Sequence, residues 1–297
     1  MNRASAYQVG VVLLLVSAVV FSTVGIFTKS VTAGAWSIIF WRGVSAAAFT
    51  ITYVFYKNRV RQEFHLMGKS GISVAIIGAA GTVALIPAFQ YTSIANVSLI
   101  YASAPFIAAA IAWLWFKEKP TTQVIVSSVL AVVGVIVIFS GSVKSGSSDY
   151  VRGDLLALWM TFAMALMIVV YRRYPNTPGP GPATLSSLLL CPLCLLLDNP
   201  FDESIRDIFV LIAFGLIFAI ASVTLAEGAK RVPSGEATLI SALETPLAPI
   251  WALIVFLEKP SLATVIGGSI VFFAILASQK SNLLFVFRRL ATVRAGS

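Results

Sequence analysis

Charge is scarce in this chain, and histidine is nearly absent. Of its 297 residues only 11% are Asp, Glu, Lys or Arg, and one is histidine. A soluble domain is about a quarter charged, which argues against a soluble fold. The one histidine, His65, lies in a basic loop and cannot assemble a zinc site, which needs several ligands. Two cysteines, Cys191 and Cys194, form a Cys-x-x-Cys inside the apolar run Leu188 to Leu197. Redox thiols need an accessible, electropositive setting, and this run offers none. They read as two buried thiols. An intramembrane metalloprotease needs His-Glu-x-x-His, and an aspartyl protease needs paired intramembrane aspartates; the chain has neither. A phosphate-binding Gly-x-x-x-x-Gly-Lys is missing, which argues against an ATP-driven pump. No filter-like Gly-rich loop points to a channel. The polar stretches between apolar runs are all short, so no extramembrane domain is expected.

What remains is hydrocarbon. Hydrophobic residues make up 58% of the chain, and the mean hydropathy is +0.92. Several runs reach the ~20 apolar residues that cross a bilayer. Ten spans are predicted, at about 8–28, 35–56, 71–90, 96–116, 122–140, 153–171, 182–197, 207–228, 235–257 and 261–278. The first is too long for a signal-peptide core and is expected to stay as a mature span. Gly, Pro and Ser mark the two longer joins, Gly141–Ser148 and Pro175–Pro182.

The formal charge of +9 is better read as loop anchoring than as nucleic-acid binding. With a cytoplasmic N-terminus, the inside receives Arg3, the basic loop Lys57–Lys69, Lys117 and Lys119, Arg172 and Arg173, Lys230 and Arg231, and the basic tail. That is 15 of the 21 basic residues. Only Lys29, Lys144, Arg152, Arg206 and Lys259 fall outside, and Arg42 lies within a span. Both termini are therefore expected in the cytoplasm. Residues 281–297 read as a short cytoplasmic tail.

The chain is also written twice. Glu118-Lys119-Pro120 recurs as Glu258-Lys259-Pro260, and sliding 95–120 onto 235–260 makes nine of 26 positions identical. Five spans per half is an odd number, so the second copy enters the membrane from the opposite side. The predicted fold is an all-α membrane protein, ten transmembrane helices as two inverted five-helix repeats. The repeats are expected at 1–145 and 146–280. Inverted pairs give two near-equivalent packings that open alternately to either side, with a site near the midplane. Pro105 lies 13 residues before its Glu and Pro246 lies 12 before its own, which predicts a one-residue slip between the halves in mid-span.

These features resemble a known family. Ten spans in two fives, with a proline-containing fourth span ending in Glu-Lys, are similar to the EamA-type branch of the drug/metabolite transporter superfamily. The resemblance is carried by Ala95-Asn-Val-Ser-Leu-Ile100 with Pro105 and Glu118-Lys119, by Gly235-Glu-Ala-Thr-Leu-Ile240 with Pro246 and Glu258-Lys259, and by Trp41-Arg42. It covers about residues 8–278. It implies a secondary transporter without a cofactor, not an enzyme, exporting small metabolites through a central cavity in the bacterial cytoplasmic (inner) membrane. Within the family the chain looks most like bacterial exporters of aromatic amino acids. Amino acids with aromatic or other bulky apolar side chains are therefore the expected substrates. The alternative is a multidrug exporter or lipid flippase on the same scaffold. Proton coupling stays open, as does monomer against homodimer.

An ionisable residue in hydrocarbon is costly and is a functional candidate by default. Glu244 is the sharpest, in Leu243-Glu244-Thr245-Pro246 at mid-span 9. It meets a substrate ammonium, carries a coupling proton, or pairs structurally with Arg42 or a hydroxyl. Tyr101 and its repeat counterpart Ser241 are cavity candidates, as are Ser98, Gln90, Trp41 and Trp159. Ser98, Tyr101 and Pro105 share a helical face. Pro105 and Pro246 are gating or structural, and so is Glu227 at the end of span 8. Arg42 binds a carboxylate, snorkels outward, or pairs structurally. Gly134, Gly267 and Gly268 suit close helix packing.

Overall fold

The computed structural model describes residues 3–278; the predicted tail at 281–297 lies outside the described residues. All regular structure among the described residues is helical. Among the described residues nine helices are long and apolar enough to cross a membrane: Ala6–Lys29, Ala35–Tyr56, Gly68–Tyr91, Ile94–Phe116, Thr122–Lys144, Ser148–Arg173, Pro180–Leu197, Ile205–Ala229 and Glu236–Phe256. A shorter apolar helix, Leu262–Ser278, completes the ten. They correspond in order to spans 1 to 10. Several starts are fixed by hydroxyl caps. Ser93 accepts from the Asn96 amide at 3.0 Å, Thr121 from Val124 at 3.4 Å, Ser204 from Asp207 at 3.1 Å and Ser261 from Thr264 at 3.1 Å. Each such cap satisfies an amide that the helix itself leaves unpaired.

Packing runs across the halves. Spans 5 and 10 pack along one another, and so do spans 2 and 7. Span 3 packs on span 6 as span 8 packs on span 1, and span 2 packs on span 8 as span 7 packs on span 3. Exchanging every span with the one five places later maps these six packings onto one another. That is the pseudo-two-fold symmetry of an inverted repeat. At the 5–10 crossing, Gly134 and Gly267 meet backbone to backbone; a Cβ on Gly134 would sit 2.6 Å from the Gly267 carbonyl oxygen. Only glycine permits that approach.

Three spans are broken. Span 1 runs as Arg3–Phe21 and Val24–Lys29, span 4 as Ile94–Tyr101 and Ala104–Phe116, and span 9 as Ser234–Ser241 and Glu244–Phe256. The breaks in spans 4 and 9, at Ala102-Ser103 and Ala242-Leu243, fall at equivalent positions of the repeat. So do their ends, Phe116 and Phe256, each followed by a left-handed residue, Lys117 at φ 59° and Leu257 at φ 54°. The predicted one-residue slip is therefore wrong. Pro105 occupies the second position of its helical segment and Pro246 the third of its own. Both fall in a first turn, where a missing amide costs no intrahelical bond, so either position is tolerated without shifting the register.

Candidate functional site

The three breaks adjoin one another. Spans 4 and 9 touch, span 9 also contacts both segments of span 1, and Trp251 of span 9 donates its indole N–H to Ser22 Oγ at 3.0 Å, at the span 1 break. Ser22 and Thr23 in turn donate to the carbonyls of Val19 and Val20, both at 2.6 Å. Those local bonds draw the backbone out of the helix at a point with no proline.

Two candidates lie on the adjoining spans here. Tyr101 ends the first segment of span 4, and Glu244 begins the second segment of span 9. Tyr101 packs with Ala242 on the main apolar cluster, and its phenol lies within electrostatic reach of the Glu244 carboxylate. Glu244 is half-buried. It takes no hydrogen bond or ion pair from any described residue. The carboxylate thus keeps its acceptor sites free at a helix end. Ser241 ends the segment just before it and is half-buried.

The remaining candidates are placed elsewhere. Ser98 is buried and donates to its own helix at the Ile94 carbonyl, 2.9 Å. The helical face predicted for Ser98, Tyr101 and Pro105 is interrupted by the break after Tyr101. Arg42 neither snorkels nor pairs with Glu244. It is 4% exposed, its guanidinium lies 4.7 Å from the Phe218 ring and 5.6 Å from Phe214, and its Nε has no partner. These rings rest on Phe21 and Phe27, which flank the span 1 break. Outward snorkelling fails because span 8 covers the guanidinium with aromatic rings. Trp41 donates to the Pro200 carbonyl at 2.7 Å and packs on Phe201. Trp159 donates to the Ala80 carbonyl at 3.2 Å, joining spans 6 and 3. Glu227 is an ion-pair hub. It takes Arg59 at 3.2 Å, Lys230 at 2.8 Å and Arg231 at 2.9 Å, with the Tyr53 hydroxyl at 3.4 Å.

The repeated Glu-Lys-Pro acquires a role the sequence did not reveal. Glu118 binds Arg172 at 2.6 Å, and Glu258 binds Lys29 at 2.8 Å. In both, the end of a broken span is clasped to the end of span 6 or span 1, which are themselves repeat counterparts. The two clasps lie at opposite ends of the bundle. The Glu258 clasp is the stronger, because its groups are three-quarters buried and Glu258 also accepts the Ile94 amide at 2.8 Å. It borders a cavity of about 560 Å³ lined by Thr28, Thr32, Ala33, Gln90 and Phe256; Gln90 is fixed there by the Ala33 carbonyl at 3.2 Å.

Sequence reasoning also missed a polar knot at this end. Asp154 is fully buried. Its carboxylate accepts from Thr92 at 2.7 Å, Asn96 at 3.0 Å and Ser142 at 2.6 Å, and Asn96 accepts from Thr264 at 2.7 Å. The carboxylate ties four elements together, and Asn96 brings in span 10 through Thr264. At the opposite end the repeat counterpart of Asn96 is Glu236, which accepts the Tyr7 hydroxyl of span 1 at 2.5 Å.

Inverted repeats whose broken spans meet around an unpaired carboxylate define a membrane transporter of the repeat-built class. The sequence model of the EamA-like transporter family matches residues 8–140 and again 151–278. The chain belongs to that family of transporters, within the drug/metabolite transporter superfamily. It is 27% identical over 180 residues to the uncharacterized transporter YwfM of Bacillus subtilis, covering 59% of this chain and 60% of that protein. It is 28% identical over 107 residues to solute carrier family 35 member G1 of Mus musculus, covering 33% of this chain and 29% of that protein. The matched region thus spans less than two thirds of either relative. A crystal structure 18% identical to the chain superposes with a TM-score of 0.64, covering 97% of this chain and 99% of that one, and shares its fold.

Proposed function

We propose that this chain is a secondary transporter that exports amino acids with aromatic or other bulky apolar side chains by alternating access. The proposed setting is a bacterial cytoplasmic membrane, with both termini and the Glu118 end inside. The observation that carries the reading is Glu244, an unpartnered carboxylate at the junction of the broken spans with a tyrosine beside it. A substrate ammonium satisfies Glu244, and an aromatic side chain packs on Tyr101. Alternation follows from the clasps. Breaking Glu258–Lys29 opens one end while Glu118–Arg172 holds the other, and the reverse. Glu244 also offers the one mid-span carboxylate on these elements able to carry a coupling proton.

The test is a competition screen of labelled metabolites in proteoliposomes, with and without an imposed proton gradient. The expected result is ATP-independent movement of aromatic amino acids, displaced by bulky apolar ones and not by acidic ones. If every class of amino acid stays put while lipids scramble or cationic drugs move, the amino-acid reading fails and a flippase or multidrug exporter replaces it.

A further inference from the structure

A second cavity, of about 480 Å³, lies away from the helix breaks. It sits between the second segment of span 4 and the start of span 5, lined by Ala109, Ala110, Trp113, Lys119, Ile125 and Val129 among others. Trp113, Ile125 and Val129 are about half exposed, on spans whose surroundings are acyl chains. The floor is made by two alanines, whose small side chains leave a slot between the helices. Lys119 stands at the mouth, exposed and without an ion-pair partner. The indole N–H of Trp113 likewise has no partner among the described residues. Lys117, Arg172 and Arg173 lie at the same helix ends, and the nearby acid, Glu118, is already bound to Arg172. The groove is thus apolar along its length and cationic at its headgroup end.

The repeat supplies an internal comparison. At the equivalent positions of the second copy, Ala109 and Ala110 become Pro249 and Ile250, and Trp113 becomes Leu253. Lys259 is kept, but larger side chains occupy the slot and the indole donor is gone. Charge alone therefore does not make the groove; the alanines and the tryptophan do.

We propose that this groove binds one anionic phospholipid of the leaflet at the Glu118 end. Its acyl chain lies against Ala109, Ala110 and Val129, and its phosphate meets Lys119 and the Trp113 indole. Basic pockets between transmembrane helices take anionic headgroups in this way. One wall of the groove is the segment Ala104–Phe116, which begins at the span 4 break. A bound lipid therefore braces that segment from behind. Lipid binding stands without the amino-acid reading; only the bracing of a moving segment rests on alternating access.

The purified protein should be titrated with phosphatidylglycerol or with phosphatidylcholine of the same chains, and the retained lipid counted by native mass spectrometry. The wild type should retain phosphatidylglycerol at about fivefold lower concentration, the preference expected of one lysine near the headgroup. Lys119→Gln should lose the preference and keep a lipid. Ala110→Trp should lose the lipid of either headgroup, while Ile250→Trp, the matching change in the other repeat, should retain it. Should Ala110→Trp fail to fold, Val129→Trp narrows the groove from its other wall. Equal retention of the two lipids by the wild type overturns the proposal, as does unchanged retention by the groove-filling variants. A dimer that Ala110→Trp dissociates would give the groove to a second copy of the chain and overturn it equally. Because the readout is retained lipid, its failure leaves the transport reading untouched.

Discussion

The break in span 4 sets Tyr101 and Pro105 beside the site; the matching break in span 9 sets Ser241 and Glu244 there. The geometry is duplicated and the chemistry is not. Both helices stop at the same position, restart after the same interval and end in the same left-handed turn. Yet an acid stands in one copy where alanine, Ala104, stands in the other. Symmetry of this kind lets the halves exchange packings at similar energy. Asymmetry at the junction lets a single ligand bind in one orientation.

Breaking the asymmetry should have the largest effect. Glu244→Gln is expected to reduce transport in proteoliposomes by about tenfold or more, on the order of 1.4 kcal/mol of transition-state stabilisation. It should also flatten the pH dependence between pH 5 and 8, with thermal unfolding unchanged. A variant as active and as pH-dependent as the wild type would reduce Glu244 to a helix-end charge. Adding Ala104→Glu to it should not restore transport, because the acid then sits on the other wall.

The next effect separates the two ends. Asp154→Ala leaves the buried hydroxyls of Thr92 and Ser142 without an acceptor, while the Asn96 amide keeps their oxygens. It should lower stability by about 1–3 kcal/mol per unsatisfied group, read as a lower unfolding temperature in detergent. A loss no greater than that of an exposed Asp149→Ala would show the knot to be slack. Glu258→Gln follows. It removes a partly buried ion pair and should raise the labelling rate of a cysteine placed at Thr32, in the mouth of the cavity. Glu118→Gln should do less at its own end, since its pair with Arg172 is largely exposed, at 45% and 64%, and exposed pairs are worth about 0–1 kcal/mol. Equal effects at the two ends would mean that the clasps are equivalent. The smallest change is expected of Pro246→Ala, below about 1 kcal/mol, because a third-position proline deletes no intrahelical bond.

The ten spans were legible because each is a long apolar run closed by short polar joins, and hydrophobicity is what a bilayer reads. The break at Ser22-Thr23 was not. No proline or glycine stands at it, and its cause is a pair of hydroxyls bonding backward to carbonyls, a bond any span hydroxyl is free to make. The Pro105/Pro246 mismatch misled in the opposite sense, since a conspicuous residue there has no influence on register. Glu244 and Tyr101 stood out as polar groups in mid-span, and the structure brings them together. Asp154 did not stand out, because an acid near a span end reads as interfacial. Its burial depends on Thr92, Asn96 and Ser142, which only the fold assembles around it. The fate of Arg42 depends on Phe214 and Phe218, which lie in the other half of the chain, and no local pattern connects them to it.

The glycine contact between spans 5 and 10 has a consequence for biogenesis. Span 5 leaves the ribosome with its principal neighbour five spans away, and spans 1, 2 and 3 likewise wait for spans 8, 7 and 6 respectively. The first half is therefore inserted as helices with few mates, their polar groups and small-residue faces open to lipid until the second half arrives. The folding unit is the pair of halves, and a ribosome stalled at the 145–147 join would leave five membrane-inserted helices with almost nothing to hold them to one another.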